Sequence, residues 1–179
     1  DRAVRAAVVL RPARIHHHLK LLMPTGHSPP SPTGKEGEGF WETAALSDLT
    51  EAEWEALCDG CGKCCLHKLE DEDTGELFHT SVACRLLDLQ TGRCTRYAER
   101  FRWVPDCVSL TPAEVQRVNW LPATCAYRLR AEGQPLPDWH PLRTGDSRST
   151  QRAGMSVCGW AIPERRVRRL KDHLIETPS

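Results

Sequence analysis

The chain has 179 residues, with 24 Lys and Arg against 24 Asp and Glu, and no formal net charge. That balance argues against a dedicated nucleic-acid binder, which shows a basic excess, and no apolar run reaches the roughly 18 residues that span a membrane. Hydrophobic residues make up 40% of the chain, ordinary for one soluble domain with tails, and the expected location is cytoplasmic.

Residues 1–39 are expected to form a disordered N-terminal extension and linker. The apolar patch Ala6–Leu10 is closed by Arg11 and Pro12, too short for an export signal. Met23 is an alternative start; residues 1–22, with the run His16-His17-His18, would then be an upstream extension. Residues 24–39 read PTGHSPPSPTGKEGEG, a composition with nothing to bury. All six Trp lie beyond it, so a single domain is expected over 40–163, followed by a basic C-terminal helix or tail over 164–179.

Thr50 to Glu53 reads as a capping box, opening a helix that ends near Cys58, before Gly60 and Gly62. Leu66–Leu69, a turn around Asp73-Thr74-Gly75, and Leu77–Cys84 read as a hairpin. The acidic turn lacks the spacing of a calcium loop. Gln90–Arg93 marks a second turn before Cys94. Thr111-Pro112-Ala113-Glu114 is a strong helix start, predicting a helix to about Trp120. A further helical turn is expected over Thr124–Arg130, closed by Gly133, and irregular structure over Pro135–Ser149. Val167, Leu170 and Leu174 share a helical face, predicting a helix over Pro163–Ile175. Residues 36–76 are acidic, with Lys63 and Lys68 their only bases, whereas the tail is basic. The expected class is therefore α+β: a small, irregular, metal-stabilised domain of short helices and β-hairpins.

The nine cysteines carry the chemistry. CDGCGKCCLHK places Cys58, Cys61, Cys64 and Cys65 within eight residues, and Cys84, Cys94, Cys107 and Cys125 follow in turn-rich segments. A disulfide framework fits poorly, because the count is odd and no export signal is evident. Bridging the adjacent Cys64 and Cys65 would need a strained ring, far from the usual Cα separation of about 4.4–6.8 Å. Free buried cysteine suits Cys158, which stands alone. Metal ligation suits the other eight. Each C-x-x-C aims two sulfurs at one ion, Gly60 and Gly62 allow close backbone approach, and Lys63 and Lys68 offset thiolate charge. Three sulfurs in succession, C-x2-C-x2-C, open a ferredoxin-type run, whereas structural zinc sites bring separated C-x2-C pairs together. Iron–sulfur is favoured over a zinc or iron ion, with zinc left open. Successive side chains of an extended segment point to opposite sides, so Cys64 and Cys65 are expected to serve different roles; spacing does not say which cysteines share a site. His67, His79 and His140 are read as packing or surface residues before ligands.

The stretch from Phe40 through CDGCGKCCLHK to the TGRCTRY segment, with VPDC, LTPAEVQRVNWLPATCAYRL and LPDWHPL, resembles the bacterial YcgN-like group within the CxxCxxCC zinc- or iron-chelating cysteine-cluster family. The resemblance covers about residues 40–164. It implies metal chelation, with Cys58, Cys61, Cys64 and Cys65 as the signature and Cys84, Cys94, Cys107 and Cys125 as the remaining family cysteines. Three functions stay open. The first is an iron–sulfur or metal protein in electron transfer, sensing or metal handling. The second is a zinc-stabilised interaction module. The third is a cluster-dependent enzyme of undefined substrate, since a related motif occurs in a flagellin lysine methylase. No Gly-rich cofactor loop, G-x-S-x-G or H-E-x-x-H motif is present, and neither a protein partner nor a strong nucleic-acid signal emerges.

Overall fold

The computed structural model describes residues 39–176, together with the backbone of a two-residue strand at Ala7–Val8. The expectation of a disordered N-terminal segment over 1–39 lies outside the described residues except at Ala7–Val8, which form a strand, and at Gly39, and the histidine run at 16–18 lies outside them altogether. The architecture is α+β, with short helices around a small mixed sheet.

Helix α1 (Phe40–Thr43) starts the domain where the aromatic residues begin. Helix α2 (Glu51–Ala56) forms as its sequence predicts: the Thr50 hydroxyl accepts from the Glu53 N–H, and the Glu53 carboxylate accepts from the Thr50 N–H. The predicted hairpin is present as β2 (Leu66–Glu70) and β3 (Leu77–Ala83), paired antiparallel. Strand β1 (Ala7–Val8) pairs with β2, and β3 takes β4 (Ile162–Pro163) parallel and β5 (Leu174–Ile175) antiparallel. Leu66 faces Ala83 but Lys68 faces His79, so the hairpin carries a bulge. Thr80 fills it: its hydroxyl donates to the His67 carbonyl at 2.7 Å and accepts from the Val82 N–H at 3.2 Å. Bulges re-aim side chains; here the ladder continues past the strands, with the Cys84 N–H donating to the Cys65 carbonyl at 2.9 Å.

Beyond the sheet come α3 (Arg100–Trp103), α4 (Pro112–Arg117), α5 (Ala126–Ala131), α6 (Pro141–Thr144) and α7 (Ser149–Arg152). Thr111 caps α4 and Pro112 opens it, as expected. The helix stops at Arg117 rather than about Trp120, because Val118 is already extended, with φ −88° and ψ 137°. The 135–149 region is more ordered than expected. Pro141 starts α6 behind a His140 cap, a cap-then-Pro signal that the sequence reading passed over.

The C-terminal helix predicted over Pro163–Ile175 does not form. The chain instead runs through β4, a 3-10 turn at Glu164–Arg166, another at Leu170–His173, and β5. Pairing decides this: β3 offers an edge, and Leu174 and Ile175 add to it opposite Thr80 and His79.

Two apolar clusters hold the domain. One surrounds Leu57 with Val115, Leu121, Ala126, Tyr127 and Leu136. The other surrounds Leu66, Ala83, Leu87 and Val157. The Tyr127 hydroxyl donates to the Trp54 carbonyl at 3.0 Å, and the two rings stack at 4.6 Å. This clamps α5 against α2.

Candidate metal centre

The CDGC loop is shaped by backbone. Leu57 ends α2 fully buried, so the chain enters the loop from inside the domain. Asp59 is buried, and its carboxylate accepts from the Cys61 N–H at 3.0 Å, a local turn that Asp makes readily. Gly60 and Gly62 have φ of 70° and 75°, a region an L side chain rarely enters. A Cβ on Gly92 would stand 2.3 Å from the Gly60 carbonyl oxygen. The turn before Cys94 therefore presses directly on the CDGC loop.

The sulfurs follow. Cys58 and Cys64 pack against the Leu57 cluster, of which Cys125 is a buried member at the start of α5. Cys65 packs against the Leu66 cluster. The doublet is thus divided between two cores, although its sulfurs lie only 3.9 Å apart. Cys84 continues the β2–β3 ladder beside Cys65, and Leu87 bridges to Cys94. The Arg85 guanidinium donates to the Trp103 carbonyl, and the Cys107 N–H to the Val104 carbonyl at 2.9 Å, which ties the Cys107 segment to Cys84. Cys158 lies in the turn after Ser156, its N–H donating to the Ser156 hydroxyl.

Charge is arranged around these thiols. The Leu86 N–H donates to the Cys84 sulfur at 3.5 Å. Such hydrogen bonds favour thiolate. Burial opposes them. It pushes Cys58 up to about 12 and Cys125 up to about 11. Cys61 is raised by burial and then by the Asp59 carboxylate. Cys64 moves the other way, held below the ordinary thiol range by a hydrogen bond from Cys65 and then by the Lys68 ammonium. Cys65, the donor, is raised. Lys68 is buried, donates to the Cys64 and Leu66 carbonyls at 3.1 and 2.9 Å, and lies 4.6 Å from the Trp120 ring centroid. Cys64 is accordingly favoured as a thiolate, and a metal would displace protons from the raised thiols beside it.

His140 and His67 are engaged within the fold. The buried His140 accepts from the Leu142 N–H at Nδ1 and bonds the Leu57 carbonyl through Nε2 at 3.1 Å. His67 pairs with Glu164 at 2.8 Å, and His79 sits in β3 with Nδ1 unpartnered. Sequence reading missed Asp59 and the capping role of His140, which it had read as a packing or surface residue before a ligand; the signals were Asp before Gly in the loop and His before Pro at a helix start.

Soft thiolates suit zinc, iron or an iron–sulfur cluster, and all nine cysteines are free thiols. Among the described residues, no three His, Cys, Asp or Glu side chains are already gathered around one point. The sulfurs are neighbours, not a finished coordination shell. The donor chemistry fits the group; its geometry would come with the metal.

Residues 57–126, which contain all eight candidate ligands, match the family model CxxCxxCC, described as "Putative zinc- or iron-chelating domain". The chain is 61% identical over 137 residues to a UPF0260 protein of Rhizorhabdus wittichii, covering 76% of this chain and 94% of that one. It is 58% identical over 139 residues to a UPF0260 protein of Granulibacter bethesdensis, covering 78% and 84%. It is 51% identical over 140 residues to the UPF0260 protein YcgN of Salmonella typhi, covering 78% and 92%. No solved structure matches.

Proposed function

The chain belongs to the UPF0260 family with its CxxCxxCC domain, and from that premise we propose that it holds an iron–sulfur cluster through cysteine thiolates and serves a redox, sensing or metal-handling role. The family's description supports metal binding as such; the cluster is the finer reading. One observation carries it: Cys58, Cys64 and Cys125, from the loop after α2 and the start of α5, pack on one core, with the Cys65 sulfur 3.9 Å from that of Cys64 and the Leu86 N–H donating to the Cys84 sulfur. Hydrogen bonds to sulfur and local charge are the protein's means of tuning such a centre.

A bound cluster supplies one-electron transfer. The chain's part is to hold and bias it. Asp59 adds buried negative charge among the first thiols, which disfavours reduction, and Lys68 opposes it beside Cys64 and Cys65. Reduced, unbridged thiols fit a reducing compartment, and among the described residues no helix is long and apolar enough to cross a membrane.

Anaerobic purification tests the reading. A brown protein with broad sulfur-to-iron absorption and matched iron and sulfide is expected. A colourless protein with stoichiometric zinc would replace it with the zinc-stabilised module, which the two small core clusters favour, because structural zinc contributes folding energy.

A further inference from the structure

We propose that the eight thiols form two separate four-sulfur metal centres, Cys58, Cys61, Cys64 and Cys125 in one and Cys65, Cys84, Cys94 and Cys107 in the other, joined at the Cys64–Cys65 doublet. The proposal rests on the metal-binding reading and deepens it by assigning every ligand to a site.

The first set is assembled by α2 and α5. The Trp54–Tyr127 clamp brings the end of α2 against the start of α5. Cys58 follows the first helix and Cys125 caps the second. Cys64 packs on the same Leu57 core. Cys61 is held one turn away, its N–H bound by Asp59. The second set is assembled by the hairpin. The bulge at Thr80 sets Cys84 opposite Cys65. The Cys84 carbonyl accepts from the Leu87 N–H, and Leu87 pairs with Cys94. Arg85 reaches the Trp103 carbonyl and draws in the segment that ends at Cys107.

The two sets meet at the doublet, whose sulfurs lie 3.9 Å apart. The centres also differ in setting. The first lies against the main core, with Cys61 and Cys125 buried and a buried carboxylate beside them, while all four thiols of the second are half-buried. Adjacent residues thus contribute one sulfur to each centre, the shortest covalent link two such sites can have.

The test uses the full chain, zinc alone as probe, and alkylation of unprotected thiols followed by peptide mass mapping. Wild type should take up two equivalents and leave only Cys158 labelled. Cys84→Ser should retain one equivalent protecting Cys58, Cys61, Cys64 and Cys125. Cys125→Ser should retain one protecting Cys65, Cys84, Cys94 and Cys107. The Cys84→Ser, Cys107→Ser double variant should lose no more metal than Cys84→Ser alone. The protected set in each variant reports directly that its remaining site has formed, so misfolding does not imitate the expected result. Uptake of a single equivalent by wild type, a mixed protected set, or loss of all metal from either single variant overturns the partition while leaving metal binding intact. No zinc uptake and full labelling of wild type overturns metal binding itself.

Discussion

Lys68 concentrates the electrostatic problem of the site in one side chain. A buried ammonium is costly unless its donors are used, and this one binds two carbonyls and faces the Trp120 ring. Its charge helps keep Cys64 below the ordinary thiol range. Lys68→Met removes that charge and strands the Cys64 and Leu66 carbonyls, each unmet bond costing about 1–3 kcal/mol. In metal-stripped protein, alkylation of Cys64 should move to higher pH in the variant, and denaturant midpoints should fall. An unchanged Cys64 profile would show that Lys68 serves packing alone. Gly92 poses a purely steric question. Gly92 and Gly133 share the same backbone region, with φ of 70° and 69°, but only Gly92 meets neighbouring backbone. Gly133→Ala should cost only the left-handed strain, about 1–2 kcal/mol. Gly92→Ala must also separate two loops at the metal site, and should cost clearly more and reduce metal uptake. Chemical denaturation with metal analysis compares them. The candidate ligands could be proposed from sequence because ligand chemistry is local: C-x-x-C spacing and glycine need no knowledge of the fold. Which core each cysteine packs against could not be, because that depends on the Thr80 bulge and the α2–α5 clamp.

The elements divide along the same line. The α2 capping box, the Thr111-Pro112 helix start and the β2–β3 hairpin formed as read, since each is decided within a few residues. The C-terminal segment was misread because its Val167, Leu170 and Leu174 spacing satisfies a helix, while β3, about ninety residues earlier, offers an open edge. Helix α6 was missed through its cap, and that cap yields a pH prediction. His140 accepts from the Leu142 N–H at Nδ1, so it must keep that nitrogen unprotonated. Burial holds it below the ordinary imidazole value, with the Leu57 carbonyl and the nearby Asp59 carboxylate opposing that shift. A histidine depressed in the folded state contributes its stability in full above its unfolded value, and that stability is lost as pH falls through the folded value. Wild type should therefore lose thermal stability as pH drops below about 6.5, and His140→Asn should lose less over the same range. His79, also depressed by burial and then by Lys68, adds an acid loss that the variant retains. Comparing both proteins in the same metal state cancels the acid sensitivity of thiolate binding. Parallel slopes would remove His140 from the account.

At the scale of the whole molecule, the domain divides its apolar residues between two clusters, with the Cys64–Cys65 doublet at their junction. The CDGC loop, the doublet and the Cys94 turn meet there, and their alignment rests on glycine contacts, one buried carboxylate and one buried ammonium. Burial holds Cys58, Cys61 and Cys125 above the ordinary thiol range, so without metal the junction is lined mainly by neutral thiols that cross-link nothing. Metal that binds the folded chain and not the unfolded one stabilises it by mass action, about 4 kcal/mol at a thousandfold excess over Kd. Chelation should therefore lower the melting temperature substantially and make it depend on metal concentration. It should also separate the clusters: hydrogen exchange should rise at the CDGC loop and the Cys94 turn before it rises in β3, which is paired on both edges. Exchange that rises evenly through β3 and the loops at once would mean that the metal holds a single cooperative core and that the junction is not the weak point.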